Sequence, residues 1–166
     1  ADDLLGLLVA WRQLFLFAKP ALLLADHAPT AILAARTLDI PVMLFGNGFF
    51  APPQISPLPN MRPWTHVPME TLVQLEQEAL ASVNFVLRHF AREPLGCLAE
   101  LFQVAETSLL TFPELDHYAQ RSQAAYWGTL PAAVANPPVW SSTARPRVYA
   151  YLRANSPHCE AALQTL

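Results

Sequence analysis

Asp26, His27, Gly46 and Asn47 are the first residues in this chain whose types and positions can do chemistry or turn a backbone sharply. Each pair ends a short apolar run, Leu22–Ala25 for the first and Ile40–Phe45 for the second. Two roles suit Asp26. It can cap the helix that follows, because Asp at a strand-to-helix junction satisfies orphan N–H groups. It can also orient a general-base histidine and stabilise the imidazolium that forms. His27 adjoins Asp26, but neighbouring side chains at such a junction diverge, so an exposed or satisfied imidazole is its plainer account.

Glu114 and Asp116 are a second pair of carboxylates, a pattern that invites glycoside hydrolysis. The plainer reading makes them strand-end acids that cap or pair with Arg121. His66, His89, His117 and His158 are too scattered for a metal centre, and no HExxH or Cys/His spacing occurs. The glycine fingerprint of dinucleotide binding, the Walker A loop and the GxSxG elbow are all missing. Cofactor binding by these residues therefore has no support in the sequence, and an oxidoreductase reading ranks low.

These residues need elements to position them. Two apolar runs separated by the alanine-rich segment 29–38 read as a βαβ unit with strands buried on both faces. Ligands of open parallel sheets collect at the carboxyl ends of the strands, where Asp26 and Gly46 fall. Before this unit, Leu4, Leu5, Leu8, Trp11 and Phe15 mark one face of a helix that Lys19-Pro20 closes. A long helix is predicted from Met69 to about Arg92, with Leu72, Leu75, Ala79, Val83 and Val86 inward and Glu70, Glu76 and Glu78 favouring its N-terminal dipole. A shorter helix over 95–105 and strands over 107–112 and 124–130 follow.

Two proline-rich stretches interrupt this pattern. Residues 46–68 carry Phe49, Phe50, Met61 and Trp64 between prolines, and a loop of that length inside a domain is usually functional. It reads either as an aromatic wall of an apolar pocket or as a stiffened loop packed on the sheet edge. Residues 131–146 read as an interdomain linker, followed by a strand over 147–152 and a helix capped by Ser156 with Pro157 in its first turn.

Composition narrows the partners. The chain of 166 residues is 53% apolar and only 14% charged, below the roughly 25% usual in soluble domains. A net charge of −3 without any basic cluster argues against nucleic acid. No apolar run reaches the ~18 residues of a membrane span. The N-terminus lacks a signal-peptide pattern, and Cys97 and Cys159 lie far apart without CxxC spacing, so a reducing compartment, the cytoplasm, is expected. The high apolar content and unpaired strand edges favour self-association.

The run Leu22–Asp26, the helix with Ala34-Ala35-Arg36, then Leu38-Asp39-Ile40-Pro41 and a strand ending Phe45-Gly46 resemble the UDP-glycosyltransferase-like enzymes of the GT-B fold. Phe112-Pro113-Glu114-Leu115-Asp116-His117-Tyr118, Arg121 and Tyr126-Trp127-Gly128 look like the end of that family's N-terminal domain. Arg147–Leu152 resembles the first strand of its C-terminal domain.

The resemblance implies a Rossmann-like, three-layer α/β/α architecture with a parallel sheet. Residues 1–130 would form the second half of an acceptor-binding domain, and 147–166 the truncated start of a donor-binding one. It implies an inverting, metal-independent transfer from a UDP- or dTDP-sugar to a hydroxyl of a small hydrophobic acceptor. Asp26 matches the aspartate that orients the general base; the histidine itself would lie upstream of Ala1 and the donor-phosphate motif downstream of Leu166, so the fragment alone is expected to be inactive. Phe45, Gly46, Asn47, Phe49, Phe50 and Trp64 would face the acceptor. The alternative from another class is a non-catalytic α/β module that uses the same apolar loop as a binding surface.

Overall fold

The computed structural model describes residues 2–49, 51–62, 64–118, 121, 124–129, 139–140 and 159–165. The chain divides into two units, 1–130 and 131–166. Unit 1 contains α1 (Asp2–Ala18), β1 (Leu23–Ala25), α2 (Pro29–Thr37), β2 (Val42–Gly46), α3 (Met69–His89), β3 (Glu106–Leu109) and β4 (Ala125–Tyr126). Short 3-10 helices occupy Leu98–Phe102 and Pro113–Leu115. The described part of unit 2 holds α4 (Cys159–Thr165) and the exposed pair Val139 and Trp140. The predicted strand over 147–152, most of the linker and the Ser156 cap lie outside the described residues.

The four strands form one all-parallel sheet in the order β1-β2-β3-β4, so the α/β class expected from the apolar runs is present. Leu23 pairs with Val42 and Ala25 with Leu44, while Leu44 pairs with Thr107 and Gly46 with Leu109. Helix α2 makes the β1-to-β2 crossover, as parallel pairing requires. Its Ala31, Ala34 and Ala35 are fully buried, and their small side chains let the helix approach the sheet closely. Leu8 and Phe15 of α1, Val83, Val86 and Leu87 of α3, and Ala25, Val42, Leu44 and Leu109 of the sheet complete one core with α2. Each such fully buried aliphatic side chain stabilises the fold by about 2 kcal/mol.

Burial along the strands alternates, which corrects the expectation of strands buried on both faces. Ala25, Val42 and Leu44 point into the core, whereas Leu24 and Phe45 on the opposite face are 58% and 38% exposed. Helices α1, α2 and α3 all contribute to the single core on the first face, and this accounts for the asymmetry.

Two helix boundaries and one helix face also differ from expectation. Helix α3 stops at His89 because Ala91 takes a φ of +52° and Arg92 turns back, its guanidinium donating to the Thr37 carbonyl and to Asp39 Oδ2 at 2.5 Å. The helix predicted over 95–105 shrinks to a 3-10 turn, with Leu95 held instead by a two-way exchange with the Asn84 side chain. The inward face of α3 runs through Glu76, Val83, Val86 and Leu87, while Ala79 is exposed. Glu76 is thus a core-facing acid and not a surface charge serving the helix dipole.

Candidate functional site

Asp26 follows the last residue of β1, at the carboxyl end of the parallel sheet. It does not cap α2: the N-cap is Ala28, and no side chain bonds to the helix start. Pro29 in the first helical turn already removes one orphan donor. The Asp26 side chain is exposed, and among the described residues no hydrogen bond or ion pair to its oxygens is seen. The chain folds it there because His27 takes a φ of +47° and turns the backbone from strand to helix.

Gly46 ends the neighbouring strand with a φ of +137°, a conformation open to glycine and strained for other residues. A Cβ at Gly46 would come within 2.8 Å of Asp26 Oδ1, so the carboxylate rests against the glycine backbone. These two residues, apart by twenty positions in sequence, meet because β1 and β2 are paired in register.

Beyond Gly46 the chain is tied to the end of β3. The Asn47 side-chain oxygen accepts the Phe49 N–H at 3.1 Å, which makes Asn47 a turn former. Arg121 donates from Nη2 to the Gly48 carbonyl at 2.7 Å and from Nε to Asp116 Oδ2 at 2.6 Å. This ion pair is almost dry, with side chains 7% and 2% exposed. Tyr126 donates its hydroxyl to Asp116 at 2.5 Å, the Tyr118 N–H donates to the other oxygen at 3.1 Å, and the Tyr118 hydroxyl donates to the Phe49 carbonyl at 3.1 Å. The pairing of Asp116 with Arg121 anticipated from the sequence is therefore present, as the lock between loop 46–49 and the ends of β3 and β4.

Electrostatics follow the same cluster. Burial alone would raise the Asp116 carboxyl, but the hydrogen bonds from Tyr126, the Tyr118 N–H and Arg121 outweigh it and hold the group below its ordinary value. The Tyr126 hydroxyl is pushed up, chiefly by its bond to the Asp116 carboxylate. Burial pushes up the Tyr118 hydroxyl.

A cavity of about 360 Å³ opens at His27, the residue after Asp26, which does not itself line it. His27, Ala28 and Pro29 at the start of α2 form one side, and Phe49 and Pro52 form the next. Leu58, Pro59, Asn60, Met61 and Arg62 supply the proline-rich wall, Leu72 and Leu75 come from α3, and Phe102 and Tyr118 close it. The lining is overwhelmingly apolar, and its volume falls within the range of small-molecule sites.

The residues expected to face an acceptor are distributed unevenly around this space. Phe49 lines it and Met61 joins it. Trp64 stands outside, 75% exposed, with its ring edge-on to His117 at 6.2 Å. His117 in turn contacts the Phe49 ring at 4.5 Å, and its Nε2 bonds to the Met61 carbonyl, so it joins the two ends of the loop. Phe45 is on the other sheet face, and Gly46 and Asn47 shape the backbone behind the cavity. Phe50 lies outside the described residues.

Leu58, Leu72, Leu75, Phe102 and Tyr118 line the cavity although their sequence pattern does not mark them as site residues. The i, i+3 spacing of Leu72 and Leu75 was visible, but their common apolar face is consistent with ordinary core packing. Among the described residues no cluster of His, Cys, Asp or Glu could hold a metal ion, and no helix is long and apolar enough to cross a membrane. Compared with family models, curated proteins and solved structures, the chain matches none of them.

Proposed function

We propose that the chain is the acceptor-binding part of a GT-B glycosyltransferase, moving a sugar from a UDP- or dTDP-sugar to a hydroxyl on an apolar acceptor. The observation that carries the reading is Asp26. This residue is exposed, does not cap α2, and stands at the carboxyl end of a parallel strand, one position before His27, which lines the apolar cavity. A charge with no structural partner among the described residues, at such a position, is the arrangement expected of a group that serves a reacting partner.

In this reading Asp26 accepts a hydrogen bond from the imidazole of a general-base histidine supplied from outside residues 1–166. The carboxylate fixes the tautomer, leaves the other ring nitrogen facing the acceptor hydroxyl, and stabilises the imidazolium once the proton has moved. The cavity holds the acceptor's apolar body so that its hydroxyl is presented near that nitrogen, converting an encounter into an oriented reaction. The GT-B arrangement, with its third layer and donor domain, belongs to this proposal.

The test is transfer activity of the longest protein encoded by the reading frame that contains residues 1–166. It is incubated with UDP- and dTDP-glucose and a panel of phenolic and polyketide-like acceptors. Glycosylated product is expected. Binding of the apolar compounds without transfer from any nucleotide sugar would instead favour the non-catalytic binding module.

A further inference from the structure

Glu76 of α3 is a buried side chain whose hydrogen bonds tie that helix to the proline-rich wall of the apolar cavity and to the 3-10 turn that carries Phe102. Its residue is only 8% exposed, although it carries a carboxylate on the core face of α3. Oε1 accepts the Ser56 hydroxyl at 2.8 Å and the Leu98 N–H at 3.4 Å, and Oε2 accepts the Leu58 N–H at 2.5 Å. Leu58 belongs to the proline-rich wall, and Leu98 begins the 3-10 turn that carries Phe102. Leu72, one turn before Glu76 on α3, and the adjacent Leu75 are the third wall. Burying a carboxylate is costly unless every lone pair finds a donor, and an apolar residue of similar size would anchor the same helix without that cost. What an apolar residue would not do is fix the backbone of the loop at Leu58 relative to α3.

We infer that Glu76 is a positioning residue that sets the shape of this cavity, and that the cavity takes a flat, largely apolar, two-ring aromatic molecule carrying a hydroxyl. The space of about 360 Å³ suits a ligand of that size. The apolar lining from Leu58, Met61, Leu72 and Phe102 supplies affinity, while the ligand's hydroxyl stays at the open side of the cavity and is hydrated by solvent. This inference deepens the acceptor reading and rests on it only for the ligand's place in a reaction.

The probe is 1-naphthol, titrated into the 166-residue chain and followed by its own fluorescence. Saturable one-to-one binding is expected, and Leu72→Trp, which fills the cavity from α3, abolishes it. Glu76→Ala weakens binding about tenfold by freeing the Leu58 wall, and Ser56→Ala, which removes one donor and leaves the fold intact, weakens it about threefold. Glu76→Gln restores binding to within about threefold of the native chain, because its amide oxygen still accepts from Leu58 while the Ser56 hydroxyl turns to accept from the amide. Val86→Ala, a cavity in the core remote from the pocket, lowers Tm without changing the naphthol Kd. Failure of the native chain to bind saturably, or Glu76→Ala and Ser56→Ala lowering Tm while leaving Kd unchanged, would overturn the inference. Naphthol binding without sugar transfer by the longer protein would remove the transferase reading and leave this one standing.

Discussion

The Asp26 carboxylate lies against the backbone of Gly46, close enough that a methyl group on Gly46 would meet its Oδ1 at 2.8 Å. The two residues end adjacent parallel strands, and the glycine's φ of +137° lets its chain turn away without a side chain in the carboxylate's path.

Gly46→Ala therefore has two effects. The alanine is forced into a strained backbone conformation, costing about 1–3 kcal/mol, and its Cβ pushes the Asp26 carboxylate aside. Urea unfolding should report the stability loss. Crystallography of the variant should find the carboxylate displaced; an unmoved Asp26 with native stability would remove the contact from the account.

Arg121 bridges Asp116 and the Gly48 carbonyl in a nearly water-free position. Arg121→Ala leaves the Asp116 charge buried without its cation, and a loss of about 3 kcal/mol is expected from chemical unfolding. Arg121→Lys should recover only part of it, because one ammonium on a flexible stem cannot reproduce the guanidinium fork that serves both acceptors. Full recovery by lysine would show that charge alone matters there.

The same cluster sets a pH window for stability. Asp116 titrates below its ordinary 3.8 in the folded chain, so its contribution is complete above that value and is lost as pH falls through the lower folded-state value. Tyr126 titrates above its ordinary 10.0, so its contribution is complete below pH 10.0 and is lost as pH rises beyond it. Tyr126→Phe should flatten much of the alkaline limb, with Tyr118 leaving a remainder, and should weaken the acid limb because Asp116 loses a donor. A pH–Tm profile unchanged on both limbs would contradict the network.

The parallel sheet and its crossover helix were readable from Leu22–Ala25, the alanine-rich 29–38 and Ile40–Phe45, because apolar runs and small residues report burial directly. Whether one face or both are covered was not readable, since Leu24 and Phe45 are as apolar as Leu23 and Leu44, and only packing separates them. Asp26 stood out because a strand-end acid is conspicuous. Glu76 did not: in a helix opening with Glu70, an acid two turns in looks like a surface charge, although its i+7 relation to Val83 places it on the buried stripe. Its partners, Ser56 and the Leu58 and Leu98 amides, come from segments that only the fold brings together.

We propose that the Asp26 carboxylate serves a reacting histidine and not the fold, and Asp26→Ala in the longest protein encoded by the reading frame separates these two roles. Transfer turnover is expected to fall by about a hundredfold or more, with Tm unchanged because among the described residues the carboxylate makes no hydrogen bond and caps no helix. Native turnover at native Tm would contradict it.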